Sequence, residues 1–348
     1  MVTALLDTDG RLEVVNLVLP APGPGQVHVD VEAAAVCGRD RDLLGSAAEP
    51  RVVGHEAVGT VGAVGEGVER VRVGDPVLVT PQWRCGTCTT CVRGEPTLCT
   101  TAAAGRDRTH GTVDGRPVTA SLATGALAAA TVVEASAVQQ LPEGVPPLHA
   151  VLFSCALPTG IGAVRNVARA WPGETVVVLG AGAVGLGAVQ GAVLAGATAA
   201  VACDPDPRRR GLATACGAGV AVAPADVGAA VDAATDGAGA DHVVVATSDP
   251  LAPEVALALV RPGGTVVLVG RSGHARIDVD VVASRGIRLL GTTRGNGSLD
   301  DDVPQLLELA MDGRLVLDDL GGDDLALEDV AAVLSGPVGG SPRRLVRF

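Results

Sequence analysis

The sequence has no tyrosine and no lysine, and only two phenylalanines and two tryptophans occur, while glycine alone counts 47. The missing residues are those with AT-rich codons, so the bias is read as the mark of a high-GC genome rather than of a halophilic surface. A core of Val, Leu and Ala buries less area per side chain than one with aromatics and needs more contacts to compensate. Basic charge is scarce as well: 26 cationic side chains face 39 acidic ones, a net of -13. Such a chain repels nucleic acid and anionic membrane surfaces, which argues against either as a partner. The opening "MVTALLDTDGRLEVV" lacks the basic, apolar and small-residue segments of a secretion signal, so a cytoplasmic protein is expected. Charge is missing altogether between Glu174 and Asp204, a stretch long enough to span a bilayer on length alone. Its six glycines, and their spacing, point elsewhere.

With 348 residues the chain exceeds the usual size of one core, and two domains are expected. The first half reads as short valine-rich strands ("GQVHVDVEAAAVC", "EAVGTVGAVGEGV", "GDPVLVT") broken by Pro and Gly turns, an irregular β domain. From about Cys155 the texture changes. Strand-like runs "TVVVLG", "AAVAC", "GVAVAP", "HVVVAT", "GTVVLVG" and "IRLLGTT" alternate with Ala-rich helical stretches, which predicts a doubly wound parallel α/β sheet. After Gly291, "SLDDDVPQLLELAMDGRL" predicts an amphipathic helix, followed by a short helix "LEDVAAVL" and a last strand "RRLVRF". These elements predict residues 1–155 as one domain, 156–290 as a nucleotide-binding domain, and 291–348 as a return to the first. No internal repeat of about 20 to 50 residues is present.

"VVVLGAGAVGLGAV" sets Gly180, Gly182 and Gly185, with Val184 just before the third glycine, in a G-x-G-x-x-G pattern between a strand and a helix. The first glycine permits a tight turn, the second lets the backbone approach a pyrophosphate, and the third lets helix and strand pack closely. An acid about 20 residues on should close the next strand, and Asp204 does. Its carboxylate suits ribose hydroxyls and repels a 2′-phosphate, which favours NAD. The run Arg208–Arg210, with Arg209 at its centre, keeps NADP open.

Eight cysteines occur, and four of them, Cys85, Cys88, Cys91 and Cys99, have the spacing C-x2-C-x2-C-x7-C of a closed four-thiolate cage for structural zinc. A disulfide framework is the alternative, disfavoured in a chain without a secretion signal. Cys37, His55 and Cys155 make a second set. Two thiolates and an imidazole leave a fourth tetrahedral position open, the design of a catalytic zinc, so two zinc ions per chain are expected. Glu56 follows His55 and can serve as an outer carboxylate or a transient ligand.

Together these motifs resemble the zinc-dependent alcohol dehydrogenases of the medium-chain dehydrogenase/reductase family, over nearly the whole chain. "GHEAVGTVGAVGEGVERVRVGDPV" is similar to the family's GHE signature. "CALPTGIGAV" resembles the segment carrying the third catalytic ligand and a cofactor-facing threonine, here Thr159. "GGSPRRLVRF" is similar to a C-terminus in which an arginine, here Arg343, contacts the pyrophosphate. The resemblance implies a GroES-like β-rich catalytic domain with a Rossmann domain inserted in it, a homodimer or homotetramer, and a small alcohol, aldehyde or ketone as substrate. It also implies a mechanism in which zinc lowers the pKa of the substrate hydroxyl and hydride passes to the nicotinamide. Trp83 and residues 122–130 correspond to regions that line the substrate pocket in relatives, which here would lack aromatic walls.

One stretch departs from the pattern. Two residues after the cysteine ligand the family commonly has a Ser or Thr that passes on the substrate proton; in "VCGRDRD" that position is Arg39, and Asp42 stands where some members end the relay with histidine. A guanidinium has no lone pair and cannot be that relay. Arg39 can pair with the cofactor pyrophosphate, clamp a substrate anion, or mark different chemistry. The alternatives to alcohol oxidation are therefore an imine or conjugated double-bond reductase on the same scaffold and, from outside enzymology, a non-catalytic binding protein.

Overall fold

The alternating valines of residues 26–36 form an eleven-residue strand, and a computed structural model shows its partners. The structure describes residues 1–348 except 105–108, 271–272, 319, 323 and 337–340. It divides into two units: Met1–Cys155, Ser298–Met311 and Gly321–Phe348 form the first, Ala156–Gly297 and Asp312–Leu320 the second. The return to the first unit is thus interrupted. Residues 312–320 stay with the second unit, where the Gln190 side chain bonds both the N–H and the carbonyl of Val316, at 2.7 and 3.2 Å.

In the first unit, β1 (Val2–Thr8), β2 (Arg11–Leu17), β4 (Arg51–Val52), β7 (Gly111–Val113) and β8 (Arg116–Ala120) form a sheet in the order β2-β1-β4-β8-β7. A second sheet runs β10-β6-β5-β3-β18-β17, built from β3 (Gln26–Val36), β5 (Ala57–Val64), β6 (Pro76–Val79), β10 (Val138–Gln140), β17 (Asp324–Leu325) and β18 (Arg344–Arg347). β9 (Ala130–Glu134) also pairs with β3. The inward valines at 27, 29 and 31 meet Val61, Val77, Val79 and Val133 in a core without aromatics. Each fully buried valine contributes roughly 1.5–2 kcal/mol, so number replaces size. The helices here are short: α1 (Gly38–Leu43), α2 (Thr89–Val92), α3 (Thr100–Ala104) and α4 (Pro147–Ala150) before the second unit, α11 (Asp302–Met311) and α12 (Val330–Ser335) after it.

In the second unit all six predicted strands occur: β11 (Thr175–Leu179), β12 (Ala199–Cys203), β13 (Val220–Val222), β14 (Ala240–Val245), β15 (Val260–Leu268) and β16 (Arg288–Gly291). They are parallel in the order β13-β12-β11-β14-β15-β16, the doubly wound arrangement whose direction reverses beside β11. Helices α5 (Ala156–Gly162), α6 (Ala183–Leu194), α7 (Pro207–Ala215), α8 (Val227–Thr235), α9 (Ala252–Leu259) and α10 (Val279–Ser284) alternate with them. The uncharged stretch 175–203 is therefore β11, α6 and β12. Among the described residues no single helix is long and apolar enough to cross a membrane.

In the first unit His110 is buried, with its Nε2 3.4 Å from the Thr131 hydroxyl. Burial pushes its pKa down to about 4. An unfolded histidine titrates near 6.5, so the fold binds this proton less readily than the unfolded chain. The associated stability is intact above that pH and is lost as pH falls through the window from about 6.5 to 4, to roughly 3 kcal/mol at its acid end. Urea titrations of His110→Gln across this window should show a shallower loss than the parent; an equal slope would place the acid sensitivity elsewhere.

Candidate metal centres and cofactor turn

Strand register builds the first centre. Ala34 of β3 lies opposite Ala57 of β5, the Ala35 N–H donates to the Glu56 carbonyl at 3.0 Å, and Arg344 of β18 lies opposite Val36. Cys37, which follows β3, His55 and Glu56, which precede β5, and Arg343, which precedes β18, therefore gather at one end of one sheet. The segment after α4 brings in Cys155, with the Ser154 hydroxyl on the Ala57 carbonyl at 3.4 Å. Ligand atoms of Cys37, His55, Glu56 and Cys155 all lie within 4.8 Å of one another.

Helix α1 orients two of them. Its N-cap is Cys37, whose sulfur accepts the Arg39 N–H at 3.5 Å, while the Asp40 carboxylate accepts the Cys37 N–H at 2.9 Å. The other oxygen of Asp40, a fully buried residue, lies 2.9 Å from His55 Nδ1. A carboxylate there favours a proton on Nδ1 and so leaves Nε2 as the ring atom that can be given to a metal, the usual outer partner of a metal-binding histidine. Asp40 escaped the sequence reading, although an acid three residues after a cysteine at a helix start has the spacing of a capping box.

Charges in this pocket act strongly. A hydrogen bond from Cys155 and the nearby Arg343 and His55 hold the Cys37 thiol well below its ordinary pKa, and the Cys155 thiol, which donates, is pushed well up. Burial alone would lower the His55 pKa, but Asp40 and Cys37 outweigh it and raise it well above the ordinary value. Burial pushes Glu56 up to about 7, against the pull of Arg343, whose Nη2 lies 3.0 Å from Glu56 Oε1. Arg343, expected to touch a pyrophosphate, thus has a carboxylate partner within the protein.

Two features test whether a metal suits this set. Glu56 Oε2 is buried with no hydrogen-bond partner, and His55 Nε2 is buried with Glu56 Oε1 3.3 Å away but no hydrogen bond; buried polar atoms left so are costly. The donors around them are two sulfurs, a ring nitrogen and a carboxylate, the mixture zinc takes. A zinc fits.

The second centre comprises Cys85, Cys88, Cys91 and Cys99, whose sulfurs also lie within 4.8 Å of one another. The Cys88–Cys99 and Cys99–Cys85 sulfur separations are 3.8 and 3.6 Å, close to the edge of about 3.8 Å in a tetrahedron of zinc–sulfur bonds. All eight cysteines are free, so the disulfide alternative is not realised. The thiols divide: the Thr101 hydroxyl and the Thr87 and Cys88 N–H groups bring Cys85 down to about 6, and the Thr90 hydroxyl brings Cys88 down to about 4, while burial and the neighbouring Cys88 and Cys99 thiols push Cys91 up to about 12.

The glycine turn has the expected conformation. Gly180 has φ +97°, and a Cβ on Gly185 would stand 1.7 Å from the Gly180 carbonyl oxygen. Gly182, the N-cap of α6, opens on space, which leaves room for a phosphate. Asp204 is buried, and its two oxygens accept the Ala181 and Asp206 N–H groups at 2.8 and 2.9 Å; each retains a lone pair for a ribose hydroxyl. Of the arginines, Arg210 donates to the Asp204 and Pro205 carbonyls, Arg208 is exposed, and Arg209 is half-buried. Val184 is half-buried in the first turn of α6, and Thr159 is buried in α5.

Arg39 is half-buried, and its Nη1 lies 3.8 Å from the Asp42 carboxylate, so the two departures from the relay pattern face each other. Trp83 is buried, and Leu122 and Ala123 hold left-handed backbones with φ 50° and 57°.

Residues 23–143 match the family model described as the alcohol dehydrogenase GroES-like domain, and residues 183–312 the one described as zinc-binding dehydrogenase. The chain is 32% identical over 348 residues to an NDMA-dependent alcohol dehydrogenase of Amycolatopsis methanolica, covering 94% of this chain and 93% of that one. Its fold is similar to benzyl alcohol dehydrogenase from Acinetobacter calcoaceticus, with TM-score 0.90, 26% identity and 100% and 99% of the two chains covered. An alcohol dehydrogenase zinc-binding domain protein from Burkholderia ambifaria superposes with TM-score 0.92 at 28% identity, covering 100% and 98%.

Replacing Cys85 and Cys99 together by Ser should remove one metal per chain and expose the loop around residues 85–104 to limited proteolysis. Undiminished metal content by atomic emission would refute the four-sulfur assignment.

Proposed function

Because this chain belongs to the zinc-dependent alcohol dehydrogenases of the medium-chain dehydrogenase/reductase family, we propose that it interconverts an alcohol and its aldehyde or ketone, with Cys37, His55 and Cys155 holding the catalytic zinc, Cys85, Cys88, Cys91 and Cys99 the structural zinc, and NAD accepting hydride. The observation that carries this reading is the convergence of two sulfurs, a ring nitrogen and a carboxylate within 4.8 Å of one another, in a pocket where His55 Nε2 makes no hydrogen bond. When bound there, zinc supplies a Lewis acid for the substrate oxygen, and the nicotinamide supplies the hydride acceptor.

The protein's part is orientation and charge. Asp40 holds His55 in the ligating tautomer, and the Arg343–Glu56 pair keeps a compensated carboxylate beside the sulfurs. Gly180, Gly182, Val184 and Gly185 form the phosphate turn, flanked by Thr159 and the Arg208–Arg210 run. Asp204 supports NAD over NADP because its carboxylate is held on the turn by the Ala181 N–H, where a 2′-phosphate would be repelled. Arg39 cannot accept the substrate proton. Its half-buried cation, two residues from Cys37, has the chemistry to bind an anion, and the pyrophosphate is the anion that this reading supplies.

NAD reduction with primary and secondary alcohols, benzyl alcohol among them, should be measurable and should vanish on chelation and in Cys37→Ser. Reduction of imines or enones without alcohol oxidation would favour the reductase reading instead. Arg39→Thr should raise KM for NAD about tenfold at nearly constant kcat, the scale of one charge-assisted hydrogen bond; unchanged KM and pH profile would remove Arg39 from the cofactor site.

A further inference from the structure

Helix α1 carries Cys37 as its N-cap and Asp40 in its first turn, yet it is only six residues long. Isolated helices of that length do not hold together in water, so its orientation must come from tertiary bonds. Asp40 supplies one, inward to His55. On the side of β1 and β4, the Arg51 guanidinium donates to the Leu43 carbonyl, and the Asp7 carboxylate accepts the Gly45 N–H at 2.9 Å.

A further anchor crosses to the C-terminal tail. Arg41 Nε donates to the Leu334 carbonyl and its Nη2 to the Val333 carbonyl, both at 2.8 Å. These carbonyls belong to the last turn of α12, where the helix has no N–H of its own to offer and the dipole is negative. A guanidinium fork matches two adjacent carbonyls; an ammonium does not. Helix α12 is itself fixed, since Val330 and Leu334 are buried in the same core as Val36 at the end of β3. Arg41 thus ties the helix holding the first ligand to an element some 293 residues away that shares the core beneath it.

We propose that Arg41 is a positioning residue for the catalytic metal: by clasping the end of α12 it sets the roll of α1, and with it the aim of the Cys37 sulfur and of the Asp40 carboxylate on His55. The inference rests on the assignment of Cys37 and His55 as metal ligands. A merely structural role would lower stability and loosen both metals alike.

Zinc release from the whole protein to a competing chelator separates the two, because the four-cysteine cage is an internal reference; Cys37→Ser, which keeps only cage metal, assigns the phases. In Arg41→Leu the catalytic-site phase should quicken about tenfold, the lower end of the effect of removing outer-shell partners, with the cage phase unchanged. Arg41→Lys should give a smaller, equally selective acceleration, and the cobalt(II) absorption of the catalytic site should shift in both variants. Wild-type release in either folded variant, or equal acceleration of both phases, overturns the inference; should Arg41→Leu fail to fold, Arg41→Lys decides alone. A parent protein that takes up cage metal only would overturn the ligand assignment itself.

Discussion

The antiparallel register of β3 against β5 and β18 is the constraint on which the first candidate metal centre depends. Ala34 opposite Ala57 and Arg344 opposite Val36 bring Cys37, His55, Glu56 and Arg343 to the same sheet end. Side chains alternate along a strand, so a slip of one residue would turn the valines at 27, 29 and 31 out of the core and separate Cys37 from His55, Glu56 and Arg343. The hydrophobic pattern that folds the sheet and the pattern that assembles the site are thus enforced together. The irregularities between His28 and Val29 and between Val31 and Ala33 leave both intact, since the Ala33–Ala34 end remains paired with Val58 and Ala57.

Burying charge is the second constraint. Asp40, His55 and Glu56 are fully shielded from solvent and Arg343 nearly so. Groups of this kind are tolerated when each charge has a partner, and the chain supplies Asp40 to His55 and Arg343 to Glu56. Left without a hydrogen bond among them are Glu56 Oε2, Arg343 Nε and His55 Nε2, the last with only Glu56 Oε1 at 3.3 Å. Two of these, the ring nitrogen and the carboxylate oxygen, are acceptors that a divalent cation satisfies.

The run Cys37–Asp42 shows how much a linear reading can extract. Cys37 was legible because other cysteines, a histidine and a glycine turn occur at distances that make joint sense. Asp40 and Arg41 look like ordinary helix charges in the sequence, but one points to His55 and the other to α12, a division created by the roughly 100° between successive helical side chains and by what packs on each face. Arg39 and Asp42 stood out only as departures, and their contact with each other becomes visible once the helix turn stacks them.

By itself the sequence determined the six parallel strands, the glycine turn with its acid and the four-cysteine loop, because each depends on local periodicity or short spacing. It could not reveal the Glu56–Arg343 pair, the Asp40–His55 bond or the grip of Arg41 on α12. Those join residues 287, 15 and about 293 positions apart, and only the pairing of strands and the packing of helices decides which of many charges meet.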